Sequence, residues 1–153
     1  MCYNYRTDVL LGGNMRKDIK GERAVGAFRT YARLGLCREE SAIAIICRIR
    51  GICGDRTALD MLAVFDTLRL LEISGEDLTL RAVKEIYLYP RGYRKNELTL
   101  RVRRLADELH CDDRSIYRYL KKARDIWILL REKEKKQTAG DRSLLSSMIG
   151  KIT

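Results

Sequence analysis

The sequence contains little of what metal-binding proteins and most enzymes need. It has one proline, one tryptophan, two phenylalanines and one histidine, His110. No Gly-rich phosphate loop and no nucleophile beside a histidine base occurs. No CxxC pair occurs either among the five cysteines, which are Cys2, Cys37, Cys47, Cys53 and Cys111. We therefore expect no metal, no cofactor and no enzymatic activity.

Long hydrophobic runs are also missing. No stretch approaches the roughly 18 apolar residues that a membrane-spanning helix needs, and no signal-peptide pattern is seen. The sequence therefore predicts a cytoplasmic protein that has no membrane contact and whose thiols are reduced. Residues 1–14 are expected to be a flexible tail. Met15 is a second candidate start, because codons for the preceding Gly-Gly-Asn can include a ribosome-binding sequence.

Charge is plentiful and unevenly distributed. The net charge is +10, and charged residues make up 34% of the chain against 46% hydrophobic, a mixture typical of amphipathic helices. From Met1 to Leu80 there are 12 basic and 11 acidic residues, whereas Arg81 to Lys136 has 17 against 9. One stretch thus carries +8 of the +10, which indicates a contact surface for a polyanion, with nucleic acid as the leading candidate.

Hydrophobic spacing predicts an all-α fold, a small multi-helix bundle with a C-terminal helix-turn-helix. We divide the chain into a helical region (15–75), a DNA-binding region (76–136) and a flexible or amphipathic tail (137–153). In the first region, a thoroughly buried helix is expected to contain Ile43, Ile46, Cys47 and Ile49 to Ile52, and the next helix runs from Arg56 to Ile73. A further helix from Thr79 is expected to stop before Pro90.

The residues from 98 to 131 follow the pattern of a helix-turn-helix. Thr99 is a suitable N-cap for the first helix, on which Ala106 is the small residue expected where two helices nearly touch. The turn is predicted at His110 to Asp112, with Asp112 capping the second helix. Apolar positions at three- and four-residue spacing face inward, namely Leu105, Leu109, Ile116, Tyr119, Leu120 and Ala123.

The segment LADELHCDDRSIYRYLKKAR resembles the final helix-turn-helix of bacterial sigma factors, their region four, and of related phage regulators that activate late genes. The preceding RAVKEIYLYPRGY resembles the helix that supports it. The resemblance implies duplex DNA as partner and RNA polymerase as a further candidate. His110 stands where the family usually has glycine, and Cys111 where valine or isoleucine is common. A left-handed backbone is therefore expected at His110.

The second helix is expected to present residues 113–122 to the major groove. The candidate base-reading residues on its exposed face are Arg114, Ser115, Tyr117, Arg118 and Lys121. Arg118 is the first choice, because arginine can bond both major-groove acceptors of guanine. The candidate phosphate contacts are Arg91, Arg94, Lys95, Arg103, Arg104, Lys122 and Arg124. The alternative is that these cations are solvated or paired with acidic neighbours.

The second helix continues without a stop signal through Trp127 and Leu130, at the spacing of a heptad repeat. These two residues could form a homodimer, or they could pack on the N-terminal helices of the same chain, which we favour because the repeat is short. Beyond them lies a short amphipathic segment of unassigned purpose, containing Leu144, Leu145, Met148 and Ile149.

These observations favour a sequence-specific duplex-DNA-binding transcriptional regulator of bacterial or prophage type. The alternative is a DNA-recognition subunit of a phage packaging machine, resembling a small terminase subunit, which would assemble as a ring. A third hypothesis makes the basic region a contact for RNA or for polymerase.

Overall fold

All regular structure in the described residues of this computed structural model is helical, which confirms the all-α prediction. The structure describes residues 18–88 and 96–140, with side chains to 133. Over this part of the chain, no helix has both the length and the apolar character to cross a membrane. The α-helices are α1 (Ile19–Arg33), α2 (Ala42–Ile49), α3 (Asp55–Ile73), α4 (Asp77–Ala82), α5 (Glu97–Glu108) and α6 (Asp113–Gly140). A 3₁₀ turn (Leu36–Arg38) follows α1, and a π-helical turn (Val83–Tyr87) extends α4.

Polar side chains explain where several of these helices begin. A carboxylate oxygen of Asp18 accepts a hydrogen bond from the amide of Gly21 (3.0 Å), and the Ser41 hydroxyl accepts one from the amide of Ala44 (3.1 Å). Each bond satisfies an amide that has no partner within the first turn of its helix. Helix α3 ends at a glycine signal. Gly75, just after its C-terminus, adopts a left-handed conformation (φ 73°), which glycine tolerates without a Cβ clash and which stops the helix.

One hydrophobic core joins all six α-helices of the described ranges. Helix α6 packs against α1, α3, α4 and α5, so it lies at the centre of the contacts. The Phe28 ring of α1 stacks on Tyr87 at the end of α4, with ring centroids 5.5 Å apart. Residues from both the predicted N-terminal region and the predicted DNA-binding region therefore stabilise the same core.

A buried polar cluster ties α6 to the N-terminal helices. The guanidinium of Arg131 on α6 lies 2.8 Å from a carboxylate oxygen of Asp60 on α3, and Arg23 on α1 lies 3.6 Å from the same oxygen. The indole N–H of Trp127 donates to the backbone carbonyl of Asp60 (3.2 Å). Three helices thus meet at Asp60.

The surroundings of Trp127 decide between the two alternatives for the heptad residues. Trp127 is 2% exposed, and Leu130 is half-buried against the core. Their packing on helices of the same chain is confirmed. The structure gives no support to the alternative homodimer through Trp127 and Leu130, because the indole already fills the interior of its own chain.

The prediction of a thoroughly buried helix around Ile43 was wrong for most of its residues. Helix α2 exists and buries Ile49, as predicted, but its other buried residue is Ile45. Ile43 is 74% exposed, and the other predicted core residues that are exposed are Ile46, Cys47 and Ile52. Hydrophobicity on every side of a short helix predicts burial all round, yet α2 contacts the body mainly through one face, on α3.

The remaining helix boundaries agree with the predictions in part. Helix α3 begins one residue before the predicted Arg56 and ends at the predicted Ile73. Helix α4 starts at Asp77 rather than Thr79, and Pro90, its predicted end, lies outside the described residues. The prediction of Thr99 as an N-cap is wrong: α5 begins at Glu97, after Asn96 in a left-handed conformation (φ 70°), so Thr99 lies within the first turn.

Candidate nucleic-acid interface

Helices α5 and α6 are consecutive and are joined by a tight turn, Leu109 to Asp112. The turn contains two hydrogen bonds of a Schellman motif, from the amide of Cys111 to the carbonyl of Ala106 (2.9 Å) and from His110 to Asp107 (3.2 Å). His110 occupies the left-handed position of this motif with φ 54°, the conformation that the resemblance implied there. This backbone reversal fixes how α6 leaves α5.

Asp112 caps α6, again as predicted. One carboxylate oxygen accepts hydrogen bonds from both the amide and the hydroxyl of Ser115, each at 2.9 Å. These bonds favour the ionised form, so they hold the pKa of Asp112 below its ordinary value, and the cations Arg118 and Arg114 add to the effect. The cap therefore orders the first turn of α6, where the candidate base-reading residues begin.

The inner side of α6 is held firmly by the core. Ile116, Leu120 and Ala123 are buried, and Tyr119 is half-buried against the core. Ala106 of α5 is also buried, where the sequence placed the small residue between two helices. Because the inner side is anchored at every turn, the rotation of α6 about its axis is fixed. The set of residues that α6 presents on its outer side is therefore fixed as well.

The candidate base-reading residues lie together on that outer side. At about 100° of rotation per residue, Arg114, Arg118 and Lys121 fall within roughly 60° of one another. All three are exposed, Tyr117 beside them is 43% exposed, and Ser115 is half-buried at the cap. We call Arg114, Ser115, Tyr117, Arg118 and Lys121 the α6 basic face.

Two of these cations make local contacts. Arg118 donates from its guanidinium to the Ser115 hydroxyl (3.0 Å), and the Lys121 ammonium lies 3.0 Å from a carboxylate oxygen of Asp125. Both contacts are exposed and lie within one turn of the helix. An exposed ion pair such as Lys121 with Asp125 contributes little, about 0.2–1 kcal/mol. The Arg118 contact is a single exposed hydrogen bond to a neutral hydroxyl, so both side chains can exchange these partners for a ligand.

The candidate phosphate contacts divide into two groups. On α5, Arg103 and Arg104 are exposed, and Arg103 has a carboxylate oxygen of Asp113 at 3.9 Å. On α6, Lys122 pairs with Glu76 (2.6 Å), and Arg124 donates to the Tyr87 hydroxyl (2.6 Å) and is half-buried. The first group is therefore more accessible than the second. Arg91, Arg94 and Lys95 lie outside the described residues.

Long-range contacts that the sequence analysis did not identify hold α5 and α6 against α4. Arg101 donates from its guanidinium to the carbonyl of Glu85 (2.8 Å), and Arg81 pairs with Glu108. These pairs, like Lys122 with Glu76, join residues 16 to 46 positions apart. No local pattern in the sequence marks them. Three cations that contribute to the basic excess, Arg81, Arg101 and Lys122, are thus used within the fold.

Among the described side chains, no group of three or more histidine, cysteine or acidic residues could hold a metal ion. The cations of the α6 basic face, Arg114, Arg118 and Lys121, offer hydrogen-bond donation and positive charge. Comparisons of the chain with protein-family models, with curated proteins and with solved structures found no match.

Proposed function

We propose that this protein is a sequence-specific duplex-DNA-binding transcriptional regulator, in which α5 and α6 act as a helix-turn-helix. Residues 113–122 of α6 enter the major groove. The observation that carries the proposal is the α6 basic face: three exposed cations gathered on the side of a helix whose opposite side is buried in the core. An α-helix fits the major groove, and three or four of its side chains suffice to reach base edges.

Arg118 and Arg114 have the chemistry for base recognition. A guanidinium can donate two parallel hydrogen bonds to the O6 and N7 of guanine, and a good bidentate contact discriminates by about 1–3 kcal/mol. Lys121 supplies a further cation within reach, and Tyr117 offers an apolar ring with a hydroxyl. Asp112 and Ser115 order the helix end on which these side chains stand.

Arg103 and Arg104 suit contacts with phosphates. Both are exposed on the helix that precedes the turn. In a helix-turn-helix this first helix crosses the DNA backbone, so cations on it position the protein without reading the sequence. Binding should therefore weaken steeply with salt, because each neutralised phosphate releases counterions.

The experiment is selection from a randomised duplex pool by the full chain, by Arg118→Ala and by a control, Arg56→Ala. Arg56 is exposed on α3, outside the α6 basic face. We expect a short motif to be enriched by the wild type and the control, and preference at one position to be relaxed in Arg118→Ala. Salt-sensitive binding that enriches no motif would contradict sequence-specific regulation and favour the packaging alternative.

A further inference from the structure

The outer surface of α3 carries an apolar stripe that lies mostly outside the core. Leu59, Leu70 and Ile73 are exposed, and Leu62 is half-buried with one side against the core. Together with Asp66 they recur at steps of three and four residues, so they lie along one face of the 19-residue helix. We call these five residues the α3 stripe. It is separate from the α6 basic face, which is on another helix.

The α3 stripe is symmetric about its centre. Leu62 and Leu70 lie four residues to either side of Asp66, and Leu59 and Ile73 lie seven residues to either side. A second copy of α3 running in the opposite direction would place Leu59 opposite Ile73 of the second copy. A two-fold interface requires this kind of self-complementarity: if residue i of one copy contacts residue j of the other, then j of the first copy also contacts i of the second.

The charges near the centre are compatible with such a pair. Asp66 is the one charged residue of the α3 stripe, and two Asp66 carboxylates would meet at the two-fold axis. Arg69 lies one turn away, its guanidinium 5.9 Å from the centre of the Phe65 ring. In an antiparallel pair each Arg69 is about 4.5 Å along the axis from both carboxylates. Two arginines therefore balance two aspartates.

We propose that the α3 stripe is the dimer interface of this protein, in which α3 packs antiparallel against α3 of a second copy with Asp66 at the two-fold axis. This inference does not rest on the proposed function. The α3 stripe has five residues, whereas a standard stable interface has roughly 20–30 on each side. The dimer is therefore weak and depends on protein concentration.

The first test is sedimentation velocity of the full chain, without DNA, from about 1 to 300 μM, where interfaces of limited area associate. The test variant is Ile73→Lys and the matched control is Ile43→Lys, because the two isoleucines are equally exposed (73% and 74%). We expect Ile73→Lys to raise the dimer dissociation constant at least about tenfold, since a charge would enter an apolar contact, and the control to leave it unchanged. Circular dichroism of both variants checks that helicity is retained.

A second variant strengthens the contact instead of breaking it. Asp66→Leu completes the apolar stripe and removes the facing carboxylates, and a polar residue at such a position costs helix pairs stability. Desolvation raises the pKa of Asp66, which indicates that its surroundings already disfavour the charged form. We expect Asp66→Leu to lower the dissociation constant at least about tenfold.

Charge exchange tests the direction of the helices. In Leu59→Lys/Ile73→Glu the antiparallel pair brings each lysine opposite a glutamate, whereas a parallel pair would bring like charges together. We expect the double variant to dimerise more strongly than Ile73→Glu alone. A wild-type chain that stays monomeric over the whole range would overturn the proposal, as would dimerisation that Ile43→Lys abolishes and Ile73→Lys does not.

Discussion

Removing the Asp60 carboxylate should destabilise the whole protein, because this group compensates two arginines at the junction of three helices. The Arg131 side chain is 8% exposed and the Asp60 side chain 20%. Taking away one partner of a buried ion pair typically costs about 3–5 kcal/mol, since the other charge stays in a poorly solvated site. Arg23 is 31% exposed and can turn toward water, so we expect Asp60→Ala to cost about 3 kcal/mol, near the lower limit.

Urea denaturation measures this loss. The sole tryptophan, Trp127, is buried and bonds to the backbone of Asp60, a contact that a side-chain substitution leaves in place. Its fluorescence, together with circular dichroism, therefore reports unfolding in both proteins. A loss of about 3 kcal/mol should lower the urea midpoint by roughly 1.5 M at a typical m-value.

Two companion variants test whether uncompensated buried charge causes this loss of stability. Asp60→Leu/Arg131→Met removes both charges and should recover most of the stability, because well-packed apolar residues can replace a buried pair at little cost. Asp125→Ala breaks the exposed pair with Lys121 and should cost less than about 1 kcal/mol. Compensation of buried charge by Asp60 is refuted if Asp60→Ala costs no more than Asp125→Ala, or if the double variant is as unstable as the single one.

Three smaller predictions concern the turn, the cap and the phosphate contacts. His110→Gly should stabilise the protein by about 0.5–1 kcal/mol, because glycine has no Cβ penalty at φ 54°, and thermal denaturation will show it. Folding lowers the pKa of Asp112, so the stability that its ionised cap contributes is fully present above pH 3.8, the ordinary pKa of the group, and is lost as the pH falls through the folded pKa. The difference in melting temperature between the wild type and Asp112→Ala should therefore shrink on acidification. Arg104→Ala should reduce the slope of log DNA affinity against log salt concentration by about one counterion. Lys122→Ala should reduce this slope by less, because Glu76 already neutralises Lys122. Salt titrations of the two variants measure both slopes.

Features set by neighbouring residues were predictable from the sequence. The extent of α3 follows from the spacing of its apolar residues, and the turn between α5 and α6 follows from His110 and the cap at Asp112. Thr99 failed as an N-cap because α5 extends back to Glu97, which brings Leu98 against the core. Packing thus outweighed a local capping preference.

Features that depend on tertiary arrangement were not predictable. The exposure of Ile43 depends on how few helices cover α2, and the pairing of Lys122 with Glu76 depends on the antiparallel course of α3 and α6. The composition of the candidate face could be predicted, because helical periodicity separates Arg114, Arg118 and Lys121 from the buried side. Which cations remain accessible could not, because this depends on partners distant in sequence.

Methylation interference on a selected duplex tests most directly whether α6 reads bases in the major groove. Methylation of guanine N7 blocks an acceptor that lies in that groove. We expect N7 methylation at specific guanines to prevent binding by the wild type, and Arg118→Ala to be insensitive to methylation at one of them. Base reading by α6 would be contradicted by binding that is indifferent to N7 methylation at every guanine. It would also be contradicted if both Arg118→Ala and Arg114→Ala left the interference pattern unchanged.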